Sequence, residues 1–514
     1  MGSVAYNLFD SNMDRYTRAG LAALYMSLKA AEKMRPPELS PVSWKMTKEF
    51  VSLKWECTDQ EFMDVLMRWC WQVDDGGMLY FPAIHFPWLM KDVQHSVSKD
   101  SQYERHCMHD GIVYTFLQHG KVRKSEKNRK EQQHVLDGES NEFIRYRYKP
   151  FKKHSGALPC WRSAKDFCNS KKIFKDKVPM KGWAMPGAAA RYPSDTKGSV
   201  SWEEAFRCSP LTSILYLLAP IVCFYHRKAQ SYFFIIPDIY NLVTFSKRRF
   251  HTKLNPDIFD MTTTGDAGLH TLTCLVRKGV GGCQVVQIGP AYIPNQRSRK
   301  KVVTIPELTE EKIHRYRLIL KALPNPLVKG KNGSFYGVDS EKCPTLRGLF
   351  ADNLVQGFKW YKGLSGSNVF YSILKDGKKA FFLGKSLTML RESNKMFDEE
   401  IEMQFMEAVQ HALRIKFAKE YEAANRFSGS PSSRSASSRI DDLRSKIIRD
   451  INGSRTPAEF RSFLAKFFAD GSKLTNKEML KVFEDIKTNK WSEWKDLMLL
   501  AIATYKSNKE KTNE

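Results

Sequence analysis

The fold is organised around a segment near the start of the sequence, which reads Asp14-Arg15-Tyr16-Thr17-Arg18-Ala19-Gly20-Leu21-Ala22-Ala23-Leu24-Tyr25-Met26-Ser27-Leu28. Its large apolar residues recur three and four positions apart, so the pattern predicts a helix over residues 14–33 with one apolar face. The small residues from Ala19 to Ala23 keep one stretch of this helix thin. We therefore expect this stretch to pack closely against a neighbouring element.

Between this helix and residue 391 the sequence mixes strand and helix patterns. Val51, Leu53 and Trp55 alternate with polar residues, which indicates a strand, and Thr58-Asp59-Gln60-Glu61 forms a capping box that begins a helix. The remaining patterns predict strands over 78–84, 231–236, 239–245, 269–276 and 284–288, and helices over 101–118, 211–225, 309–322 and 346–360.

From residue 397 onward helices dominate. Apolar residues recur every four positions over Phe397–Tyr421, and this slow drift around a helix predicts burial on more than one side. Residues 428–438 contain seven serines, which indicates a flexible linker. Capping signals such as that at Thr475 begin short helices, and residues 491–505 form the last one. Short loops between amphipathic helices predict an antiparallel bundle.

The sequence therefore predicts an α+β fold, in which a mixed basic body with antiparallel strands precedes an all-helical bundle. We expect an N-terminal α+β region over 1–120 and a basic central body over 121–391. The helical bundle is expected over 392–514, with the serine-rich linker inside it.

The charge of the chain is strongly positive and unevenly distributed. Lys and Arg number 82 and Asp and Glu 56, which gives a formal net charge of +26 over 514 residues. Residues 392–514 hold 22 basic and 20 acidic residues, a net charge of +2, so the body carries the other +24. On a folded chain such an excess predicts a polyanionic partner, with nucleic acid ahead of an anionic membrane.

Basic residues are interleaved with aromatic residues over Phe143–Lys153, and further basic clusters lie at 247–249 and 297–301. Separate clusters favour tracking of a long phosphate backbone, and exposed rings could stack on unpaired bases. The alternative is that the rings belong to the core and the cations form a solvated face. Residues 121–133 lose apolar periodicity, and we expect the basic segment 121–153 to be mobile or ordered by a ligand.

The candidate nucleic-acid-binding residues are all basic, apart from two amides that could read base edges. They are Lys121, Arg123, Lys124, Lys127, Arg129, Lys130, Arg145, Arg147, Lys149, Lys152, Lys153, Lys247, Arg248, Arg249, Asn295, Gln296, Arg297, Arg299, Lys300 and Lys301.

The sequence offers no convincing catalytic set. Asp74-Asp75 precedes Gly76-Gly77, the reverse of the order usual in a metal-binding hairpin, so we interpret these residues as a turn. His109-Asp110, with His106 nearby, leaves open a metal-dependent nuclease or phosphohydrolase, although histidines on a polar helix surface are the favoured interpretation. We therefore predict a protein that is not an enzyme and holds no metal and no cofactor.

Composition also bears on the compartment. No secretory leader is visible, and the most apolar stretch, 211–225, is about 15 residues long, short of the roughly 20 that span a bilayer. The ten cysteines form no Cys-x-x-Cys pair, so reduced thiols are expected. We expect a cytoplasmic protein with no membrane partner.

Two stretches resemble a known family. One is the segment 14–28 quoted above, and the other reads Trp491-Ser492-Glu493-Trp494-Lys495-Asp496-Leu497-Met498-Leu499-Leu500-Ala501-Ile502-Ala503-Thr504-Tyr505. Together they are similar to the large subunit of type I CRISPR surveillance complexes (Cascade), in the Myxococcus-type subgroup of the "Cas-eight" group. Type I-B is a compatible subtype. The basic body and helical tail extend the likeness over most of the chain.

The resemblance implies a non-catalytic subunit that binds the 5′ end of the guide RNA (crRNA). In such a complex the guide reads the target by base pairing, and the protein reads a short flanking motif (the PAM) on target double-stranded DNA and starts R-loop formation. The resemblance also implies contacts with the other Cascade subunits (backbone, 5′-handle and small subunits) and recruitment of an effector helicase-nuclease or transposition proteins.

The helical tail resembles the separate small subunits, which hold the displaced non-target strand. Three methionines just before or within the first tail helix, Met396, Met403 and Met406, would allow the tail to be translated separately. An RNA-binding scaffold of another pathway remains as a further alternative.

Overall fold

The computed structural model describes residues 2–73, 78–85, 105, 108–109, 111–112, 130–135, 143–148, 178–180, 206–228, 231–251, 261–275, 279–288, 301–323, 327–329, 335–337, 346–375, 377–426 and 435–505. The chain divides into two compact units. The mixed unit comprises Met1–Thr309 with Pro324–Cys343, and the helical unit comprises Glu310–Leu323 with Pro344–Glu514. The mixed unit combines antiparallel sheets with helices, so the predicted α+β class is confirmed.

The helical unit starts earlier in the chain than the bundle expected over 392–514, because it takes in residues 310–323 and 344–391.

The mixed unit begins with a three-stranded antiparallel sheet, which we call the N-terminal sheet. It is formed by β1 (Gly2–Asn7), β2 (Val42–Met46) and β3 (Phe50–Trp55), in the order β1-β3-β2. Its apolar face packs on two helices, α1 (Arg15–Met34) and α2 (Asp59–Cys70). The Trp55 ring stacks on Phe62 with centroids 3.9 Å apart. The predicted capping box is confirmed, since the Thr58 hydroxyl accepts from the backbone N–H of Glu61.

Helix α1 is the predicted helix. The Asp14 carboxylate accepts a hydrogen bond from the Thr17 N–H at 2.8 Å and so caps the first turn, and the helix ends where Arg35 takes the left-handed conformation with φ of 48°. A Cβ placed on Gly20 would lie 1.9 Å from the carbonyl oxygen of Leu215, in helix α4 (Pro210–Leu218). The predicted close packing is therefore backbone against backbone.

Short elements follow the first sheet. They are β4 (Gln72–Val73), β5 (Leu79–Tyr80), α3 (Pro82–His85), β6 (Lys130–Val135), β7 (Phe143–Tyr148), β8 (Val178–Met180) and β9 (Phe206–Cys208). The strand expected over 78–84 is therefore reduced to β5, because a helical turn begins at Pro82. Within the expected helix 101–118, the described residues 105, 108–109 and 111–112 are helical.

A second, larger antiparallel sheet forms the centre of the mixed unit. Its strands are β10 (Phe224–Lys228), β11 (Ser231–Ile239), β12 (Val280–Ile288) and β13 (Lys301–Pro306), paired in that order. Helix α1 packs on β11, while α6 (Thr264–Leu275) packs on β12 and β13. The stretch 211–225, expected to be one buried helix, is largely buried. It is α-helical only to Leu218, continues as a short 3-10 helix over Ala219–Ile221 and ends in β10.

Two predicted strands are wrong. Residues 239–245 end β11 and begin helix α5 (Leu242–His251), because the Asn241 side chain accepts from the Thr244 N–H at 2.9 Å and caps a helix there. Of the stretch 269–276, the described residues 269–275 fall in α6, where the Thr263 hydroxyl accepts from the Asp266 N–H in the first turn. Gly268 lets this helix approach the sheet closely, since a Cβ there would lie 2.2 Å from Ile305.

Two further strands, β14 (Leu327–Lys329) and β15 (Phe335–Gly337), complete a sheet with β7 and β6 in the order β14-β15-β7-β6. Strand β15 pairs with β7 in parallel, and β6 pairs with β7 antiparallel over six residue pairs from Lys130–Tyr148 to Val135–Phe143. The segment 121–153 was expected to be mobile or ordered by a ligand, and its described residues form the two strands β6 and β7.

The helical unit contains nine helices in the described residues. They are α7 (Glu310–Ala322), α8 (Leu346–Gln356), α9 (Asn368–Lys375), α10 (Gly377–Arg391), α11 (Glu400–Arg426), α12 (Ala436–Gly453), α13 (Pro457–Phe468), α14 (Asn476–Asp485) and α15 (Trp491–Ala503).

The long helix α11 is the centre of this unit, and it is buried on more than one side, as predicted. It packs on α15, where the rings of Phe405 and Trp494 meet edge to face with centroids 5.0 Å apart. The capping box of Thr475 with Glu478 is confirmed. The Ser435 hydroxyl caps α12, so the last residues of the predicted linker 428–438 belong to that helix. Residues 427–434 lie outside the described residues.

Candidate nucleic-acid interface

The segment 14–28 fixes α1 to the second sheet through two arginines. Arg15 Nε lies 3.0 Å from Asp238 Oδ2, and Arg18 Nη1 lies 3.0 Å from Asp238 Oδ1. Asp238 stands near the end of β11, so both guanidinium groups anchor the start of the helix to that strand. Together with the Asp14 cap and the close approach at Gly20, this contact gives the segment a structural role.

The C-terminal stretch 491–505 is likewise part of the core of its own unit. Asp496 is 1% exposed, and its carboxylate accepts hydrogen bonds from the backbone N–H groups of Gly363 and Ser365 at 2.6 Å each. Burial raises the pKa of Asp496, and these hydrogen bonds oppose that rise. The neighbouring Lys495 donates to the Ser454 carbonyl at 2.9 Å. Neither residue is available for a ligand.

The candidate basic residues divide into those that the structure describes and those outside the described residues. Lys130, Arg145, Arg147 and Lys301 lie on strands, and Lys247, Arg248 and Arg249 lie on α5. The others lie outside the described residues: Lys121, Arg123, Lys124, Lys127, Arg129, Lys149, Lys152, Lys153, Asn295, Gln296, Arg297, Arg299 and Lys300.

The hairpin of β6 and β7 brings several candidate positions together. In its register Arg145 stands opposite Gln133, Arg147 opposite Glu131, and Lys130 opposite Tyr148. Because faces alternate along a strand, the two arginine positions share one face of the hairpin, and Tyr146 and Tyr148 share the other. The alternation of basic and aromatic residues expected from the sequence therefore lies on a strand, β7. Contact with nucleic acid stays a prediction.

The cluster on α5 is mostly engaged inside the protein. Lys247 is exposed, but the Arg248 Nε donates to the Cys274 carbonyl at 2.8 Å. Arg249 is 1% exposed, donates from Nε to the Val222 carbonyl at 3.1 Å, and places its guanidinium 4.2 Å from the centroid of the Phe224 ring. Arg249 as a surface contact is therefore wrong, because helical periodicity turns this position inward.

A basic surface on the N-terminal sheet was not predicted from the sequence. We call it the outer face and define it by the residues that alternate with the buried ones: Ser3, Ala5, Asn7, Ser43, Lys45, Phe50, Ser52 and Lys54. The signal was present in the sequence, because Ser43 and Lys45 alternate with Trp44 and Met46 just as the strand β3 alternates. Lys45 and Lys54 lie apart in the sequence and form no run of basic residues, so they were not among the predicted binding residues.

The enzymatic alternative gains no support from its described residues. His109 is fully buried, and its Nδ1 accepts a hydrogen bond from the Leu79 N–H at 3.1 Å, so the expectation of a surface histidine is wrong here. His106, Asp110 and the 74–77 turn lie outside the described residues. Within the described ranges, no group of three His, Cys, Asp or Glu side chains is placed to hold a metal ion.

None of the helices in the described part of the chain combines the length and the apolar composition that a membrane span needs.

The chain resembles known protein domains in its N-terminal and C-terminal parts. Residues 5–208 match the DevT N-terminal domain, and residues 393–514 match the DevT C-terminal domain. CRISPR-associated protein Cas8a1/Csx13 of Myxococcus xanthus (strain DK1622) is 24% identical over 426 residues, which cover 78% of this chain and 70% of the relative. The stretches 14–28 and 491–505 lie within the two matched domains. The chain is thus similar to DevT domains in two parts and, at 24% identity, to a Cas8a1/Csx13 protein.

Proposed function

We propose that this protein is the non-catalytic large subunit of an RNA-guided Cascade complex. In this role it binds the 5′ end of the crRNA, reads the PAM on target double-stranded DNA and starts R-loop formation. It also contacts the backbone, 5′-handle and small subunits, and it recruits a helicase-nuclease or transposition proteins. The observation that carries the proposal is the match to a Cas8a1/Csx13 protein over 78% of the chain, with DevT domains at both ends.

The distribution of charge supports this role. The body outside 392–514 carries a net charge of +24, and a protein that neutralises phosphates needs such an excess. The β6–β7 hairpin, with Arg145 and Arg147 on one face, is the described part of the largest predicted basic cluster. The near-neutral helical tail suits packing on neighbouring subunits, with contact to the displaced strand through a basic face.

The proposal is tested by identifying the nucleic acid that is bound to the purified protein. The full chain is expressed with the other Cascade genes of its locus and a CRISPR array, purified through a tag, and its bound RNA is sequenced. The expected result is a repeat-derived crRNA with a defined 5′ end. Recovery of unrelated cellular RNA would favour a scaffold of another pathway and would contradict the proposal.

Two variants, compared per cation removed, test the basic cluster predicted over residues 143–153. Neutralising Arg145, Arg147, Lys149, Lys152 and Lys153 together should lower the slope of log affinity against log salt on duplex target by up to about 0.9 per lost phosphate contact. The control removes two exposed cations of α7, Arg317 and Lys321. An unchanged slope in the first variant would remove this cluster from the interface.

A further inference from the structure

The outer face of the N-terminal sheet has the features of a binding platform. Three side chains on the two edge strands of the sheet are small and exposed. They are Ser3 and Ala5 on β1 and Ser43 on β2. Lys45 and Lys54 rise from this flat surface and are exposed as well. None of the residues that define the face is acidic. A flat, carboxylate-free surface with isolated cations is complementary to a polyanion.

The register fixes the spacing of the two lysines. Lys45 pairs with Ser52, and Lys54 pairs with Ser43, so the lysines occupy diagonal positions on neighbouring strands. Diagonal positions on an antiparallel pair are about 7–8 Å apart. This separation is comparable to that between successive phosphates of an extended nucleic-acid strand. The Ser52 hydroxyl beside Lys45 adds a hydrogen-bond donor for phosphate oxygens, whereas the Ser43 hydroxyl donates to the Lys54 carbonyl at 3.5 Å.

An aromatic ring completes the face. Phe50 belongs to the outer face at the end of β3, where it pairs with Asn7 of β1, and its side chain is only half-buried. A ring on the same face as phosphate-binding cations can stack on a base only when that base is unpaired. The face therefore fits a single strand better than a duplex, whose bases are already stacked and paired.

We infer that the outer face of the N-terminal sheet binds single-stranded nucleic acid, with Lys45 and Lys54 on successive phosphates and Phe50 stacked on a base. The inference rests on the nucleic-acid binding proposed above and assigns it to residues outside every cluster that the sequence analysis identified. Lys45 and Lys54 make no ion pair with any described residue of the chain, so both ammonium groups are available to phosphates.

The test measures binding of the purified full chain to a fluorescein-labelled single strand of about 16 nucleotides, and to the matched duplex, by fluorescence anisotropy. For the variant K45A/K54A, the salt slope on the single strand should fall by about 0.7 per lost contact, about 1.4 in all. The conservative variant K45R/K54R should keep the slope. The control R317A/K321A loses the same charge from exposed positions on α7 and should also keep it.

A second variant tests the ring. F50A should weaken binding to the normal strand by at least about fivefold, and it should leave binding to a strand with abasic sites unchanged. The inference is overturned if wild-type protein binds the oligonucleotide and K45A/K54A binds it with the same slope. It is also overturned if the lysine variant loses duplex binding and keeps single-strand binding. Absence of any binding by wild-type protein would contradict both this inference and the nucleic-acid binding on which it rests.

Discussion

The substitution Gly20→Ala tests whether the small residues of the segment 14–28 serve close packing of α1 on α4. In a helix, Ala is favoured over Gly by about 1 kcal/mol, so propensity alone predicts a more stable protein. The structure predicts the opposite. The added Cβ would lie 1.9 Å from the Leu215 carbonyl oxygen, whereas ordinary contact begins at 3.4 Å, so α1 and α4 would have to separate by about 1.5 Å, the difference between these two distances.

Overpacking of this kind typically costs 1–3 kcal/mol, and the obstacle is backbone, which cannot rotate away as a side chain can. Because the obstacle is backbone, we take the upper end of this range, about 3 kcal/mol, and subtracting the gain in propensity of about 1 kcal/mol leaves a destabilisation of the mixed unit by about 2 kcal/mol. This corresponds to an increase of about 30-fold in the rate of amide exchange in α1 when exchange requires unfolding of the unit.

The assay is hydrogen exchange with mass spectrometry on peptides from α1, compared between wild-type protein and the variant. The matched control is Gly453→Ala at the end of α12, where a Cβ would meet nothing within 4 Å, so the change should be neutral or slightly stabilising. If Gly20→Ala slowed exchange in α1 or left it unchanged, the close packing of α1 on α4 described above would be wrong.

Three further changes follow from the described contacts. Asp496→Ala should destabilise the helical unit by about 2–4 kcal/mol, measured by urea unfolding, because two buried N–H groups lose their acceptor. Arg249→Met should lower the melting temperature, since the Val222 carbonyl loses its donor, whereas Lys247→Ala should not, and equal effects would contradict the assignment of Arg249 to the core. Hydrogen bonds from two lysines lower the pKa of Asp470 to about 2, so the extra melting temperature of wild type over Asp470→Asn should be full above pH 4 and disappear as the pH falls towards 2.

Most of the correct predictions rest on local sequence patterns. Helix α1, its start at Asp14 and the capping boxes at Thr58 and Thr475 were predictable because a cap depends on residues three or four positions apart. Strand β3 was predictable because its alternation persists over six residues.

The errors arose where tertiary packing or a less common cap decides the structure. The stretch 269–276 has strand-forming residues, but its described residues 269–275 are helical and belong to α6, which packs closely on β12 and β13 at Gly268. Arg249 carries the same charge as its neighbours, and only the helical phase of α5 shows that it is buried. The alternation of Ser43 and Lys45 with apolar residues is visible in the sequence, but only the pairing of β2 with β3 shows that Lys45 and Lys54 share one face.

We propose that this positively charged, non-catalytic subunit enables the guide-loaded complex to bind target DNA. The most direct test assembles Cascade with and without this chain and measures binding to target duplexes whose flanking sequence is randomised. The account predicts strong, PAM-dependent binding only when the chain is present, with the DNA left uncut by the complex in Mg²⁺ or Mn²⁺. Equal binding and equal flanking preference without the chain would contradict it.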